Sequence, residues 1–84
     1  MPAPPDCAAL GRAVQAIRAE QGISQMELAE RTGFMQSWIS NVEHGRRNVS
    51  WTNVGRLAEG LGVSVSELAA RAEALAGEPP DAPA

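Results

Sequence analysis

Apolar residues recur at helical spacing through the middle of this 84-residue chain. Leu10, Val14 and Ile17 lie at positions i, i+4 and i+7, so they share one face of a first helix. We expect this helix to end at Gly22, because glycine adopts the left-handed conformation that commonly follows a helix. No segment shows the alternation of apolar and polar residues that is typical of a half-buried strand.

A second helix is predicted by its start and stop signals. Ser24 and Glu27 have the spacing of a capping box, in which each side chain binds the other's backbone N–H. Leu28 and Ala29 then face inward, and Gly33 ends the helix at a turn that requires a positive φ.

A third helix follows after a short turn. It is predicted to run from Gln36 to His44, with Ile39 and Val42 inward and Gly45 as its C-cap. Two short helices joined in this way form a helix-turn-helix, and they need further helices to cover their apolar faces.

Two more helices complete the predicted fold. Ser50 caps a fourth helix that ends at Gly62, and Ser64 with Glu67 forms a second capping box that opens a fifth helix through Leu68. The inward stripe of the fourth helix is Val54, Leu57, Ala58 and Leu61. The sequence therefore predicts a compact all-α bundle of five helices.

The two ends of the chain differ from its middle. Both are rich in proline and alanine, which neither hold a helix nor provide much apolar surface to bury. We expect a flexible arm over residues 1–6, one domain over residues 7–75 and a flexible tail over residues 76–84.

Composition excludes several classes of protein. Cys7 is the only cysteine, so the sequence offers neither an intrachain disulfide nor a cysteine-cluster metal site. No segment approaches the ~18 consecutive apolar residues of a membrane span, and the first residues do not resemble a signal peptide. We expect a cytoplasmic protein with no membrane association and no cofactor. One histidine, one cysteine and no glycine-rich phosphate loop offer no recognisable catalytic chemistry, so we do not expect an enzyme.

The order Gln25, Ala29, Gly33, Ile39 and Val42 resembles the helix-turn-helix of the Cro and lambda-repressor family, also called the XRE family. The segments IRAEQGISQMELAERTG, ISNVEHGRRNVS and RLAEGLGVSVSEL extend this resemblance over nearly all of the predicted domain. The resemblance implies a five-helix DNA-binding domain whose third helix lies in the major groove of double-stranded DNA.

The family pattern also implies residues that read bases. Gln36 and Ser37 match its base-reading positions, and a glutamine carboxamide can pair with both N6 and N7 of adenine. Asn41 lies one turn after Ser37 on the same face. Trp38 has two alternatives, packing over the helix turn or touching a sugar and a thymine methyl group. Gln25 matches a family residue that binds phosphate and braces the glutamine at position 36.

Further family positions imply backbone contacts and architecture. Arg46 and Arg47 lie in a loop that the family holds against the phosphate backbone. The nearby neutral donors are Asn48 and Ser50. The two remaining matches, Arg18 and Glu43, imply a structural salt bridge between the first helix and the end of the third. The sequence departs from the family pattern at Met35, where serine or threonine is the usual N-cap. His44 has no second ligand at i+3 or i+4, so a metal site is not indicated.

The net charge of −3 is unevenly distributed. Residues 1–58 contain six arginines and five acidic residues, a net charge of +1, whereas residues 59–84 contain Arg71 and five acidic residues, a net charge of −4. With no lysine, nonspecific attraction to DNA is weak, so tight binding requires a dimer. The predicted dimer interface on the fifth helix consists of Val65, Leu68, Ala72 and Leu75, although Leu68 alternatively belongs to the monomer core.

We therefore predict a sequence-specific transcriptional regulator, a repressor or autoregulator, that binds a pseudo-palindromic operator as a homodimer. The segment RNVSWTNVGRLAEGLGVSVSEL is similar to restriction-modification controller proteins. The alternative is a protein-interaction module, such as an antitoxin-like protein whose partner is another protein.

Overall fold

The computed structural model describes residues 4–77. Most of the predicted tail and half of the predicted arm, residues 78–84 and 1–3, lie outside the described residues. The described chain forms five α-helices connected by short links. These helices are α1 (Cys7–Glu20), α2 (Gln25–Thr32), α3 (Gln36–Glu43), α4 (Trp51–Leu61) and α5 (Val65–Leu75). The predicted five-helix, all-α fold is confirmed.

Side-chain caps explain where most of the helices begin. The hydroxyl of Ser24 accepts a hydrogen bond from the Glu27 backbone N–H at 3.0 Å, and Ser64 does the same for Glu67 at 3.0 Å. The carboxylate of each glutamate in turn accepts a hydrogen bond from the serine backbone N–H, which completes the two predicted capping boxes. The first helix has a cap that the sequence did not predict. The Asp6 side chain accepts a hydrogen bond from the Ala9 backbone N–H at 2.9 Å.

Two predicted helix ends are shifted. Helix α1 ends at Glu20 rather than Gly22, and Gly22 follows in the turn with φ +69°. Helix α3 ends at Glu43, with His44 as the C-cap and Gly45 one residue later at φ +73°. In both cases the glycine supplies the left-handed residue, but the helical hydrogen bonds stop before it.

The five helices enclose one hydrophobic core. Its fully buried side chains come from every helix, and the largest are Val14, Leu28, Ile39, Val42, Leu57, Leu61 and Leu68. Helices α1 and α5 pack against each other, while α3 packs against both α1 and α2. The third helix is thus held on its inner side by two others and is open on its outer side.

The burial of α5 corrects part of the predicted dimer interface. Leu68 is 0% exposed and Ala72 is 3% exposed in the single chain, so both belong to the monomer core and leave almost no surface for a partner. Assigning them to a dimer surface was wrong, because the stripe that the sequence presents on α5 is used against α1 and α4. Val65 and Leu75 are only partly buried and stay predicted interface residues.

Gly11 allows a close approach that the sequence pattern does not reveal. A Cβ atom at this position would lie 2.2 Å from the carbonyl oxygen of Val42 and 2.8 Å from that of Glu43. These are backbone atoms at the end of α3, so they cannot move aside without displacing the helix. The missing side chain at Gly11 therefore sets how closely α1 contacts α3.

We expect Gly11→Ala to lower the free energy of unfolding by about 2 kcal/mol or more, because the added methyl group overlaps backbone atoms. Gly55→Ala is the matched control, since nothing lies within 4 Å of a Cβ atom there. At that helical position alanine should instead stabilise the fold by about 0.5–1 kcal/mol. Urea denaturation of both variants measures the difference, and equal effects of the two changes would contradict the close approach.

Candidate nucleic-acid interface

The outer face of α3 carries the polar side chains that the sequence assigns to base reading. Gln36 and Ser37 are exposed at the start of the helix, and Asn41 is half-buried one turn further on. We call these three residues the reading face. Their opposite neighbours, Ile39 and Val42, are buried in the core, so the helix cannot rotate without exposing them.

The turn before α3 is braced by a stack of side chains. The rings of Phe34 and Trp38 lie 4.3 Å apart between centroids, at an angle of 36°. Arg56 of α4 places its guanidinium 4.1 Å from the centroid of the Phe34 ring. The same guanidinium donates a hydrogen bond to the carbonyl oxygen of Thr32, the last residue of α2, at 2.6 Å. This stack fixes the turn between the two helices.

Of the two alternatives for Trp38, the structure therefore shows packing over the turn. The ring is half-buried against Phe34 and the core, so Trp38 does not belong to the reading face. Arg56 was missed at the sequence level, and its spacing from the aromatic residues, 18 and 22 positions, gave no local signal.

The other end of α3 is held by a buried ion pair. Arg18 of α1 donates to both carboxylate oxygens of Glu43, from Nε at 2.7 Å and from Nη2 at 3.0 Å. The Glu43 side chain is 2% exposed and that of Arg18 is 16% exposed. Arg18 also donates to the carbonyl oxygen of Ile23 at 3.0 Å. The hydrogen bonds to Glu43 raise the pKa of Arg18 above its usual value, against the opposing effect of burial.

Gln25 belongs to this network. Its side-chain amide donates to Oε1 of Glu43 at 2.9 Å, so the carboxylate accepts three hydrogen bonds. The family resemblance implied instead that Gln25 braces Gln36, and that role stays a prediction. The carboxylate of Glu43 is the stronger acceptor, and its burial makes an additional donor valuable. The predicted phosphate contact of Gln25 stays a prediction.

The loop after α3 presents two arginines. We call residues 46–50 the arginine loop, in which Arg46, Arg47, Asn48 and Ser50 are all exposed. The Arg46 backbone N–H donates to the carbonyl oxygen of Asn41 at 2.9 Å, which anchors the loop to the reading face. The Ser50 hydroxyl accepts from the Asn53 N–H at 3.2 Å as the N-cap of α4.

Most other arginines in the described residues serve the architecture. Arg71 and Glu20 form an exposed ion pair between α5 and α1 at 2.6 Å, which lowers the pKa of Glu20 mainly through hydrogen bonding. Arg31 donates to the carbonyl oxygen of Gly60, and Arg12 to that of Leu75, each at 3.4 Å. The arginine loop therefore presents cationic side chains that do not tie two helices together, although Nη1 of Arg46 donates to Oδ1 of Asn41 at 3.5 Å.

Neither a metal site nor a membrane-spanning helix is found in the described residues. Within residues 4–77, no three histidine, cysteine or acidic side chains are grouped so that they could hold a metal ion. The helices of that region are also too short or too polar to cross a membrane.

Comparison with known proteins identifies the fold family. The family profile described as "Helix-turn-helix domain" matches residues 9–71. The chain belongs to this helix-turn-helix family. The resemblance expected from the sequence is thereby confirmed, and the matched region includes all of α2, the turn and α3.

Related proteins and structures agree with this assignment. An uncharacterized HTH-type transcriptional regulator, y4dJ of Sinorhizobium fredii, is 44% identical over 52 residues, which are 62% of this chain and 68% of the relative. The structure of the restriction-modification controller protein C.AhdI from Aeromonas hydrophila is similar, with a TM-score of 0.71 and 35% identity over 74% of this chain and 94% of its own.

A third comparison concerns a protein–DNA complex. The restriction-modification controller protein C.Esp1396I, solved as a tetramer with its natural 35-base-pair operator, has a TM-score of 0.73 to this chain. The comparison covers 81% of this chain and 93% of that protein, at 24% identity. At this identity the likeness concerns the fold.

Arg18→Ala should lower the free energy of unfolding by about 3 kcal/mol or more, because it leaves the Glu43 carboxylate buried without its cationic partner. For a domain of this size, that loss corresponds to a decrease in melting temperature of more than about 10 °C. The control is Arg71→Ala, which removes an exposed ion pair and should change the melting temperature little. Thermal unfolding followed by circular dichroism compares them, and an unchanged midpoint for Arg18→Ala would show that the pair does not stabilise the fold.

Proposed function

We propose that this protein is a sequence-specific DNA-binding transcriptional regulator that acts as a homodimer in the cytoplasm. Its third helix enters the major groove and presents the reading face to base edges. The observation that carries this proposal is the reading face itself, in which exposed Gln36 and Ser37 and half-buried Asn41 line the outer side of a helix that is held at both ends. Membership of the helix-turn-helix family supports the same function.

The residues of the reading face have chemistry suited to bases. The carboxamide of Gln36 can donate to N7 and accept from N6 of adenine, so it prefers an A·T pair. The Ser37 hydroxyl donates or accepts and adds little discrimination alone. Asn41 lies one turn further along the groove, where its amide reaches the next base or a phosphate.

The arginine loop supplies contacts to the DNA backbone. Arg46 and Arg47 bind phosphates beside the major groove, while Asn48 and the start of α4 at Ser50 add neutral donors. Gln25, at the start of α2, faces the phosphates on the other side of the reading face. Such contacts fix the register of the protein without selecting a base sequence.

Dimerisation compensates for the small number of cationic contacts. A two-fold dimer places its recognition helices about 34 Å apart, one turn of DNA, and therefore selects a pseudo-palindromic operator. Val65 and Leu75 on α5 contribute to the interface. Bound at its operator, the protein represses or autoregulates a promoter without performing catalysis.

The decisive experiment is the selection of bound sequences from a random duplex pool by the purified wild type and by Gln36→Ala. We expect an inverted repeat whose preferred base changes at one position per half-site in the variant, because the contact to adenine is lost. Gln15→Ala changes an exposed glutamine on α1 that is outside the proposed DNA contacts, and it should select the wild-type sequence.

Failure to enrich any sequence, with the protein folded, would overturn this proposal. A search for a protein partner would then test the alternative of an antitoxin-like interaction module. In that case we expect changes on α5 to abolish function and Gln36→Ala to leave it intact.

Arg47→Ala should weaken binding to every sequence to a similar extent, because a phosphate contact carries no base information. The slope of log K against log salt should become shallower by about 1.8, because each of the two protomers loses one phosphate contact worth about 0.9. Titrations at several salt concentrations measure the slope. Arg71→Ala removes the same charge from α5, and a slope change equal to that of Arg47→Ala would mean that only net charge matters.

A further inference from the structure

Met35 is an apolar residue with an unusual position at the start of α3. It is 75% exposed, although its neighbours Phe34 and Trp38 are packed against the core. It immediately precedes Gln36 and Ser37, the first two residues of the reading face. A flexible apolar side chain is therefore presented beside the polar groups that read bases.

The backbone at Met35 is nevertheless fixed. Its carbonyl oxygen accepts hydrogen bonds from the backbone N–H groups of Trp38 and Ile39, each at 3.1 Å. The stack of Phe34, Trp38 and Arg56 holds the turn from the inside. The exposure of the Met35 side chain thus follows from an ordered turn that directs it outward.

This residue also gives up a local stabilising contact. Met35 occupies the N-cap position of α3 but makes no side-chain cap, whereas Asp6, Ser24, Ser50 and Ser64 cap the other four helices of residues 4–77. A serine in its place would offer a side-chain acceptor to the backbone N–H groups in the first turn of α3, whereas the Met35 side chain is mostly exposed. Packing within the monomer thus gives no reason for methionine here.

We propose that Met35 is a specificity-determining residue that contacts the C5-methyl group of a thymine next to the base read by Gln36. This inference rests on the proposed function. The polar edges of bases pair with residues such as Gln36, and the thymine methyl is the apolar group of the unmodified major groove. A long thioether side chain adapts its shape to such a contact.

The test uses the selected operator with a single thymine replaced by deoxyuridine in one half-site, which removes only the methyl group. Wild type should bind about fourfold more weakly at one such position, the affinity equivalent of one buried methyl group. Met35→Ser should bind the thymine and deoxyuridine operators equally. This variant should also melt at a higher temperature than wild type because serine caps α3, so its loss of discrimination cannot be attributed to misfolding.

Met26→Ala is the matched control, since Met26 is an exposed methionine on α2. It should keep the fourfold preference for thymine over deoxyuridine. A methyl preference that is equal in wild type and Met35→Ser, or no thymine at this position, would overturn the inference and leave the proposed function standing. If no duplex is bound specifically, both the inference and the proposed function fail.

Discussion

The carboxylate of Glu43 is the point on which the arrangement of the helices depends. It lies at the last residue of α3, almost fully buried, and accepts hydrogen bonds from Arg18 of α1 and Gln25 of α2. Arg18 also binds the carbonyl oxygen of Ile23, in the link between α1 and α2. A buried charge is tolerated only when its partners are in place, so the three helices are constrained together rather than in pairs.

The two ends of α3 are fixed by different chemistry. The C-terminal end has the charged network and the close backbone approach at Gly11, whereas the N-terminal end has the stack of Phe34, Trp38 and Arg56. Neither device uses a residue of the reading face. Gln36 and Ser37 are therefore available for recognition while the helix that carries them is held rigid. This rigidity reduces the conformational entropy that is lost on binding.

Local signals in the sequence were sufficient to predict the helices. Ser24 with Glu27 and Ser64 with Glu67 act within four residues, so their pattern is readable without a structure. Contacts between distant segments were not readable in this way. Gly11 and Arg56 act on partners more than 20 positions away, and Leu68 has the same apolar character whether it packs within one chain or between two. The salt bridge and the reading face came from family resemblance, which carries tertiary information that periodicity lacks.

The use of the arginines explains how an acidic protein suits a DNA-binding role. Of seven arginines, those at positions 12, 18, 31, 56 and 71 bind groups on distant segments of the described chain, whereas Arg46 and Arg47 are exposed in the arginine loop, where Arg46 donates to Asn41 at 3.5 Å. So few free cations give little nonspecific affinity for DNA, because that affinity increases with the number of phosphates neutralised. Under the proposed function, discrimination comes from base contacts and from two-fold pairing of half-sites. A regulator of this kind spends little time on random DNA and depends strongly on each residue that contacts a base.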